Sequence, residues 1–279
     1  MIVFLNGQFV PEEQATVSVF DRSFLYGDGL FETMRVTKGK PFRWWEHIER
    51  LRKGGDFLGI KIPFACKSLE KFAAELIAKN QMPEALLRLT VSRGVGLRGY
   101  SPKGADQPIV VMTLHPFSGA PSTGSASWKL HTASLRLPAG EKLAHFKTAN
   151  KLAQILARTE ADAAGADEAV LCNTDGFVVE GASSNLFWVE GDTICTPPLA
   201  SGILAGVTRA VTLELCESLG LPRAERQIKP DQLRRADGVF VTLSSFGVVA
   251  AASLDGAELK QSPLVDQLSR AYAELLANS

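Results

Sequence analysis

Two stretches of this chain carry residue types that could act together. His145-Phe146-Lys147-Thr148-Ala149-Asn150 places a lysine at the mouth of a predicted helix. Val179-Glu180-Gly181-Ala182-Ser183-Ser184-Asn185 places a carboxylate where a predicted strand breaks into a turn of small residues. An amine can form a Schiff base, and an acid can hold a pyridine nitrogen protonated so that the ring drains electrons from a carbanion. A pyridoxal phosphate enzyme needs both. Neither motif is diagnostic alone, because a lysine near a helix start is ordinarily solvated surface.

Other stretches add compatible chemistry. Gly202-Ile203-Leu204-Ala205-Gly206-Val207-Thr208-Arg209 runs from a loop into a predicted helix, where the unpaired N–H groups of Val207 and Thr208 would point at an anion and the helix dipole would add to the attraction. It also reads as a plain Gly-Thr helix start, and it lacks the Gly-Lys-Ser/Thr ending of a Walker loop. His47 and Arg50 stand one helical turn apart on one face, and the planar fork of Arg50 suits phosphate oxygens. Ser244 and Ser245 follow an apolar strand, so their hydroxyls sit at a strand end, a common place for ligand contacts and for ordinary turns. On the strand after Gly27-Asp28-Gly29, Phe31, Thr33 and Arg35 share one face, and Glu32 and Met34 the other. The glycine-rich loop Arg93-Gly94-Val95-Gly96-Leu97-Arg98-Gly99-Tyr100-Ser101-Pro102 could bring Arg98 to a substrate carboxylate.

Composition bounds what these residues can belong to. A chain of 279 residues, 46% hydrophobic, has room for two domains or one large α/β domain. Thirty basic and thirty acidic side chains cancel, which leaves no electrostatic footprint for nucleic acid or an anionic membrane. Cys66, Cys172, Cys195 and Cys216 show no metal-ligand spacing and lie in apolar runs, as reduced core thiols of a cytoplasmic protein do. The opening Met1 to Gly7 has no basic region and reads as a strand and turn, and no apolar run approaches the roughly 20 residues that span a bilayer.

The elements that must position the candidates are legible as hydrophobic periods. Residues 2–5 and 8–10 flank an Asn-Gly turn, a strong hairpin signal. Strands are predicted at 30–37, 85–92 and 109–114, and helices at 45–57 and 68–79. A linker rich in Pro, Gly and Ser covers 116–125. Beyond it come a strand at 128–135, a helix at 150–164, a meander of short strands from 168 to 196, a helix at 207–219, a strand at 238–242 and a C-terminal helix at 262–276. The expectation is an N-terminal α/β domain over 1–115 and a C-terminal domain over 126–279, with a ligand cleft between them.

Taken together these stretches resemble the fold type IV pyridoxal phosphate enzymes, the class-IV aminotransferase family. It includes branched-chain and D-amino acid aminotransferases, (R)-selective amine transaminases and aminodeoxychorismate lyase. The resemblance runs from Asn6-Gly7 to Leu254-Asp255-Gly256. It implies a two-domain α/β fold of the α+β type, with a small N-terminal and a larger C-terminal domain, in a homodimer that takes a small-molecule amino substrate. It implies that Lys147 is the Schiff-base lysine and proton shuttle, and that Glu180 pairs with the pyridine nitrogen of pyridoxal 5′-phosphate. Arg50, the backbone of Val207 and Thr208, and the Ser244 hydroxyl then form the phosphate cup, and Ser183 joins the cofactor-binding residues.

The same resemblance implies that the substrate amine displaces Lys147 to give an external aldimine. Reprotonation at the cofactor carbon then gives transamination, and expulsion of a group gives a lyase. The loop from Arg93 to Ser101 is similar to that of aminodeoxychorismate lyases, and Thr33 is common in them. These features favour 4-amino-4-deoxychorismate lyase, with transamination of D-amino acids, branched-chain L-amino acids or (R)-amines as the alternative. Phe31, Arg98, Tyr100 and Ser245 are the expected substrate-side residues, with Thr33 placed for proton work. Against the lyase, the chain has Leu243-Ser244-Ser245-Phe246-Gly247 where lyases tend to carry an Asn-Ser-Leu-Met type sequence.

Overall fold

The computed structural model describes residues 1–117 and 127–279, so the expected linker lies outside the described residues from position 118 on. The chain divides into two compact units: Met1–Ser118 with Phe146–Lys151 and Ser279, and Gly119–His145 with Leu152–Asn278. The segment that carries Lys147 therefore groups with the first unit, whereas the sequence alone places it in the second domain. The cause is local pairing. Thr148 bridges to Leu30, the Phe31 N–H donates to the Lys147 carbonyl (2.9 Å), and the Ala149 N–H donates to the Gly29 carbonyl (2.8 Å). Those bonds draw 147–149 out as an extended rung and delay the helix expected from Asn150 until Leu152.

The first unit contains β1 (Ile2–Leu5), β2 (Gln8–Pro11), α1 (Arg22–Tyr26), β3 (Gly29–Thr37), β4 (Lys40–Pro41), α2 (Trp44–Leu58), α3 (Cys66–Asn80), β5 (Ala85–Ser92) and β6 (Ile109–Pro116). Its six-stranded sheet runs β2-β1-β6-β5-β3-β4. Leu30, Met34 and Val36 of β3 pack into a core with Ile48 and Leu51 of α2 and Leu69, Ala73 and Leu76 of α3. The alternation of the strand sets this, since residues two apart share a face. On the other face of the β3–β5 pair, Phe31, Thr33 and Arg35 stand opposite Thr90, Arg88 and Leu86.

The second unit contains β7 (Trp128–Leu137), α4 (Leu152–Ala163), β8 (Glu168–Asn173), β9 (Val178–Gly181), β10 (Asn185–Glu190), β11 (Thr193–Thr196), α5 (Val207–Ser218), β12 (Arg223–Glu225), α6 (Pro230–Leu233), β13 (Gly238–Leu243), β14 (Gly247–Leu254), β15 (Ala257–Glu258) and α7 (Pro263–Ala277). The sheet runs β12-β11-β10-β13-β14-β7-β8-β9, and the pair Glu180–Asn185 joins β9 back to β10. Leu186, Trp188, Val239, Val241, Val249 and Ala251 fill one apolar cluster, while Phe187 and Phe240 stack 4.9 Å apart. Strand β14, between β13 and β7, is absent from the sequence reading. Its Val248-Val249-Ala250-Ala251-Ala252 run is rich in alanine, which is depleted in strands and favoured in helices. The short elements α1, β12, α6 and β15 also escaped that reading. None of the helices in the described residues is long and apolar enough to cross a membrane.

Candidate active site

In the first unit the Lys147 Nζ lies 4.7 Å from the centre of the Phe31 ring. A second cation shares that ring: the Arg88 guanidinium carbon lies 3.8 Å from its centre. Arg88 pairs across the sheet with Thr33, so Phe31, Thr33 and Arg88 occupy one wall. Burial pulls the Arg88 guanidinium below its usual pKa. Among the described residues, no hydrogen bond or ion pair joins it. The sequence reading missed Arg88, although its signal was present: Leu87, Leu89 and Val91 alternate inward along β5 and leave Arg88 and Thr90 on the other face.

On the opposite side of β3, Glu32 is fully buried. Arg50 meets it as a fork, Nε donating to Oε1 (2.8 Å) and Nη2 to Oε2 (2.6 Å), and His47 Nδ1 lies 2.7 Å from Oε2. Burial alone would raise the Glu32 carboxyl, but the charge and hydrogen bonds of Arg50, with those of His47, outweigh it and bring the pKa down to about 2. Burial pulls the His47 imidazole below its ordinary value against the attraction of Glu32. His47 is therefore neutral at neutral pH, and since an ionised carboxylate only accepts, Nδ1 carries its proton. His47 and Arg50 do share a helix face, as their spacing implied, and Glu32 joins them.

In the second unit Glu180 is buried near the end of β9, and its Oε2 accepts from the Leu204 N–H (3.0 Å). The turn after it is held by another buried acid. Glu168 Oε1 accepts from the Ala182 N–H (3.2 Å), and Oε2 accepts from the Ser183 N–H (3.2 Å), the Ser183 hydroxyl (2.6 Å) and the Ser184 hydroxyl (3.2 Å). Ser183, expected among the cofactor-binding residues, thus gives its hydroxyl to Glu168. Helix α5 starts at Val207 with Gly206 as N-cap and no side-chain cap, and Val207 and Thr208 are buried. Ser244 and Ser245 lie half-buried in the turn that joins β13 to β14. Thr242, two residues earlier, is buried and its Oγ1 has no hydrogen-bond partner. By register it stands beside Asn185, which stands beside Glu180.

The donor set fits a phosphorylated pyridine. An uncapped helix start offers N–H groups to an anion, and a buried carboxylate on a rigid sheet can hold a ring nitrogen's proton. The partnerless Thr242 hydroxyl adds hydrogen-bonding capacity in the same row.

The glycine-rich loop is fixed from the first unit. Asp28 Oδ2 accepts from Arg22 Nε (2.8 Å) and Arg93 Nε (2.7 Å). Arg22 donates to the carbonyls of Gly99, Tyr100 and Ser101, and Arg93 to those of Leu58 and Gly59 at the end of α2. The side chains of Arg98 and Tyr100 are left exposed. Arg93 and Arg22 are thus structural, which the count of arginines in the loop could not reveal.

Comparison with known proteins agrees with this chemistry. The family described as "Amino-transferase class IV" matches residues 29–254. A putative branched-chain-amino-acid aminotransferase of Methanocaldococcus jannaschii is 37% identical over 92% of this chain and 88% of its own length. A D-alanine aminotransferase of Bacillus licheniformis is 32% identical over 92% of this chain and 89% of its own. The crystal structure of 4-amino-4-deoxychorismate lyase from Pseudomonas aeruginosa superposes with a TM-score of 0.87 at 34% identity, covering 99% of both chains. The chain belongs to the class IV aminotransferase family and is a pyridoxal phosphate-dependent enzyme with the mixed α/β fold of that family.

Proposed function

We propose that this enzyme is a transaminase that moves an amino group from an amino acid or amine to a 2-oxo acid. The observation that carries the choice is the packing of Leu243 and Phe246 against the apolar cluster of the second unit. Leu243 stands where the similar lyases tend to have an amide, and an apolar side chain turned to a core cannot hydrogen-bond a substrate. Arg88 supports the same reading, because a half-buried cation beside Phe31 and Thr33 suits a second carboxylate, as in 2-oxoglutarate.

When bound, pyridoxal 5′-phosphate supplies an aldehyde and an electron sink. Lys147 would hold that aldehyde through Nζ, and its amine would be the base that takes the proton from the substrate Cα and returns it. Glu180 holds a proton at the pyridine nitrogen. In the second unit the N–H groups of Val207 and Thr208, with the Ser244 hydroxyl, would hold phosphate oxygens, and in the first unit Arg50 is the side chain suited to the same group. Thr33, Ser245 and the exposed Arg98 and Tyr100 serve the substrate side.

Aminodeoxychorismate lyase is the second reading, supported by the Arg93 to Ser101 motif. The two separate by absorbance. Under the transaminase reading, one of D-alanine, L-leucine or (R)-1-phenylethylamine abolishes the visible band and 2-oxoglutarate restores it. Release of 4-aminobenzoate and pyruvate from aminodeoxychorismate, with the simple donors inert, overturns it in favour of the lyase. Lys147→Ala should lose the band that borohydride bleaches.

We also propose a homodimer. Phe20, Phe24, Leu97 and Tyr100 are 65%, 74%, 74% and 85% exposed, and the Asp21–Val95 bridge brings their segments together. Such an apolar surface suits a second copy of this chain. A monomeric mass by light scattering at micromolar concentration would refute that.

A further inference from the structure

The Asn185 side chain has no place in the roles above, yet it holds the backbone that connects two of them. Its Nδ2 donates to the Leu204 carbonyl (2.9 Å), while the Leu204 N–H donates to Glu180 Oε2 (3.0 Å). Leu204 is thus fixed at its N–H by the acid and at its C=O by the amide. Two residues later comes Gly206, the N-cap of α5. An ideal Cβ on Gly206 would stand 1.9 Å from Asn185 Oδ1. The Gly206 backbone, at φ −66° and ψ 135°, is one that any residue adopts. The position therefore needs glycine for space, because the backbone runs against the Asn185 amide.

We propose that Asn185 is a positioning residue that keeps the Glu180 carboxylate and the N-terminus of α5 in fixed register through the backbone of Leu204. The inference rests on the proposed roles of Glu180 and of the α5 N–H groups. Its physical basis is rigidity. Asn185 is 5% exposed on β10, paired to Glu180 on one side and to Thr242 on the other. A loop bonded at the Leu204 N–H to Glu180 of β9 and at the Leu204 carbonyl to Asn185 of β10, and packed against Asn185 at Gly206, cannot shift without moving these strands. The residue type also matters. An aspartate of the same shape would set an acceptor against the Leu204 carbonyl and add a charge beside Glu180, so Asn185→Asp changes the interaction with little change in volume.

The experiment titrates pyridoxal 5′-phosphate into the apo forms of wild type, Asn185→Asp, Asn185→Ala, Gly206→Ala, the double variant Asn185→Ala/Gly206→Ala and Glu180→Gln. It reads the dissociation constant and the pH response of the visible band, with thermal unfolding of each apo protein alongside. Asn185→Asp should weaken cofactor binding about tenfold and move the band's pH response in the direction that Glu180→Gln moves it. Gly206→Ala should weaken binding comparably. In the double variant the second change should cost nothing further, because the amide that its methyl would meet is gone. A merely structural Asn185 would lower the apo melting temperature and leave the band untouched, and that result overturns the proposal. So does full additivity of Asn185→Ala and Gly206→Ala. If Asn185→Asp fails to fold, Gly206→Ala, which keeps the amide, carries the spectroscopic test. If Glu180→Gln itself changes neither affinity nor band, the role of Glu180 falls and this inference falls with it. If Glu180→Gln changes both and the Asn185 and Gly206 variants change neither, only this inference falls.

Discussion

Glu32 in the first unit and Glu168 in the second are both fully buried, and the two are satisfied in different ways. Glu32 in the first unit faces the guanidinium of Arg50 and the neutral imidazole of His47. Glu168 in the second faces backbone N–H groups and the hydroxyls of Ser183 and Ser184. The first arrangement fixes a cation: with Nε and Nη2 held by Glu32, the Arg50 plane is set. The second fixes a stretch of backbone, the turn that leads away from Glu180. Charge pairing suits a side chain that must present a charge of its own. Neutral donors suit a loop whose course must not vary. Removing one partner of a buried ion pair leaves an uncompensated charge, whereas removing one of several neutral donors leaves a carboxylate still bonded.

That contrast breaks most sharply at Glu32. Glu32→Gln turns an acceptor-only group into one whose NH2 meets donors from Arg50 and His47, and removes the carboxylate charge that the Arg50 guanidinium faces. It should cost about 3–5 kcal/mol in urea unfolding and, under the role proposed for Arg50, weaken cofactor binding. A loss under 1 kcal/mol would show that the pair is only nominal.

The pH dependence follows next. The Glu32 carboxyl is depressed from 4.5 to about 2 on folding, so its contribution is complete above the unfolded value and is lost as pH falls from 4.5 towards 2. That contribution is on the order of 3 kcal/mol, and the stability gap between wild type and Glu32→Gln should close across this window. His47 also favours higher pH. Its folded pKa is depressed below 6.5, so the unfolded chain takes up the proton first, and stability declines as pH drops below 6.5. A His47→Gln protein should lack that decline. If wild type instead gained stability on acidification through 6.5, His47 would be charged and its pairing ionic.

The contrast also marks what a sequence can reveal. Lys147, Glu180, Arg50 and the Gly206-Val207-Thr208 helix start, the proposed cofactor residues, could be singled out in the sequence because each sits in a local pattern of a few residues: a strand end, a helix turn, a loop with unpaired N–H groups. Glu32 was visible only as a face of β3, and its partners lie on α2, which the strand pattern does not register. Glu168 was invisible as a clamp because its donors come 14 to 16 residues later, across a hairpin. Arg88 could be placed by alternation on the outer face of β5, but its cross-strand neighbour, Thr33, could not be known from the sequence. The segment 146–151 departs from its expected place for the same reason, since its bonds to Gly29 and Phe31 are far away in sequence.

The mildest tests concern the neutral clamp. Glu168→Gln keeps one acceptor oxygen but points an NH2 at donors of the turn, which should cost about 1–3 kcal/mol, less than Glu32→Gln. Ser183→Ala removes one hydroxyl and leaves the Ala182, Ser183 and Ser184 donors in place, so about 1 kcal/mol is expected. Because the clamp acts on Glu180 only through the turn, Ser183→Ala should leave the affinity for pyridoxal 5′-phosphate nearly unchanged. A large loss of affinity without loss of stability would mean that the Ser183 hydroxyl binds the cofactor directly, and that in the loaded enzyme it leaves Glu168. The distinction between a residue that holds the loop and one that holds the ligand is therefore measurable at this one side chain.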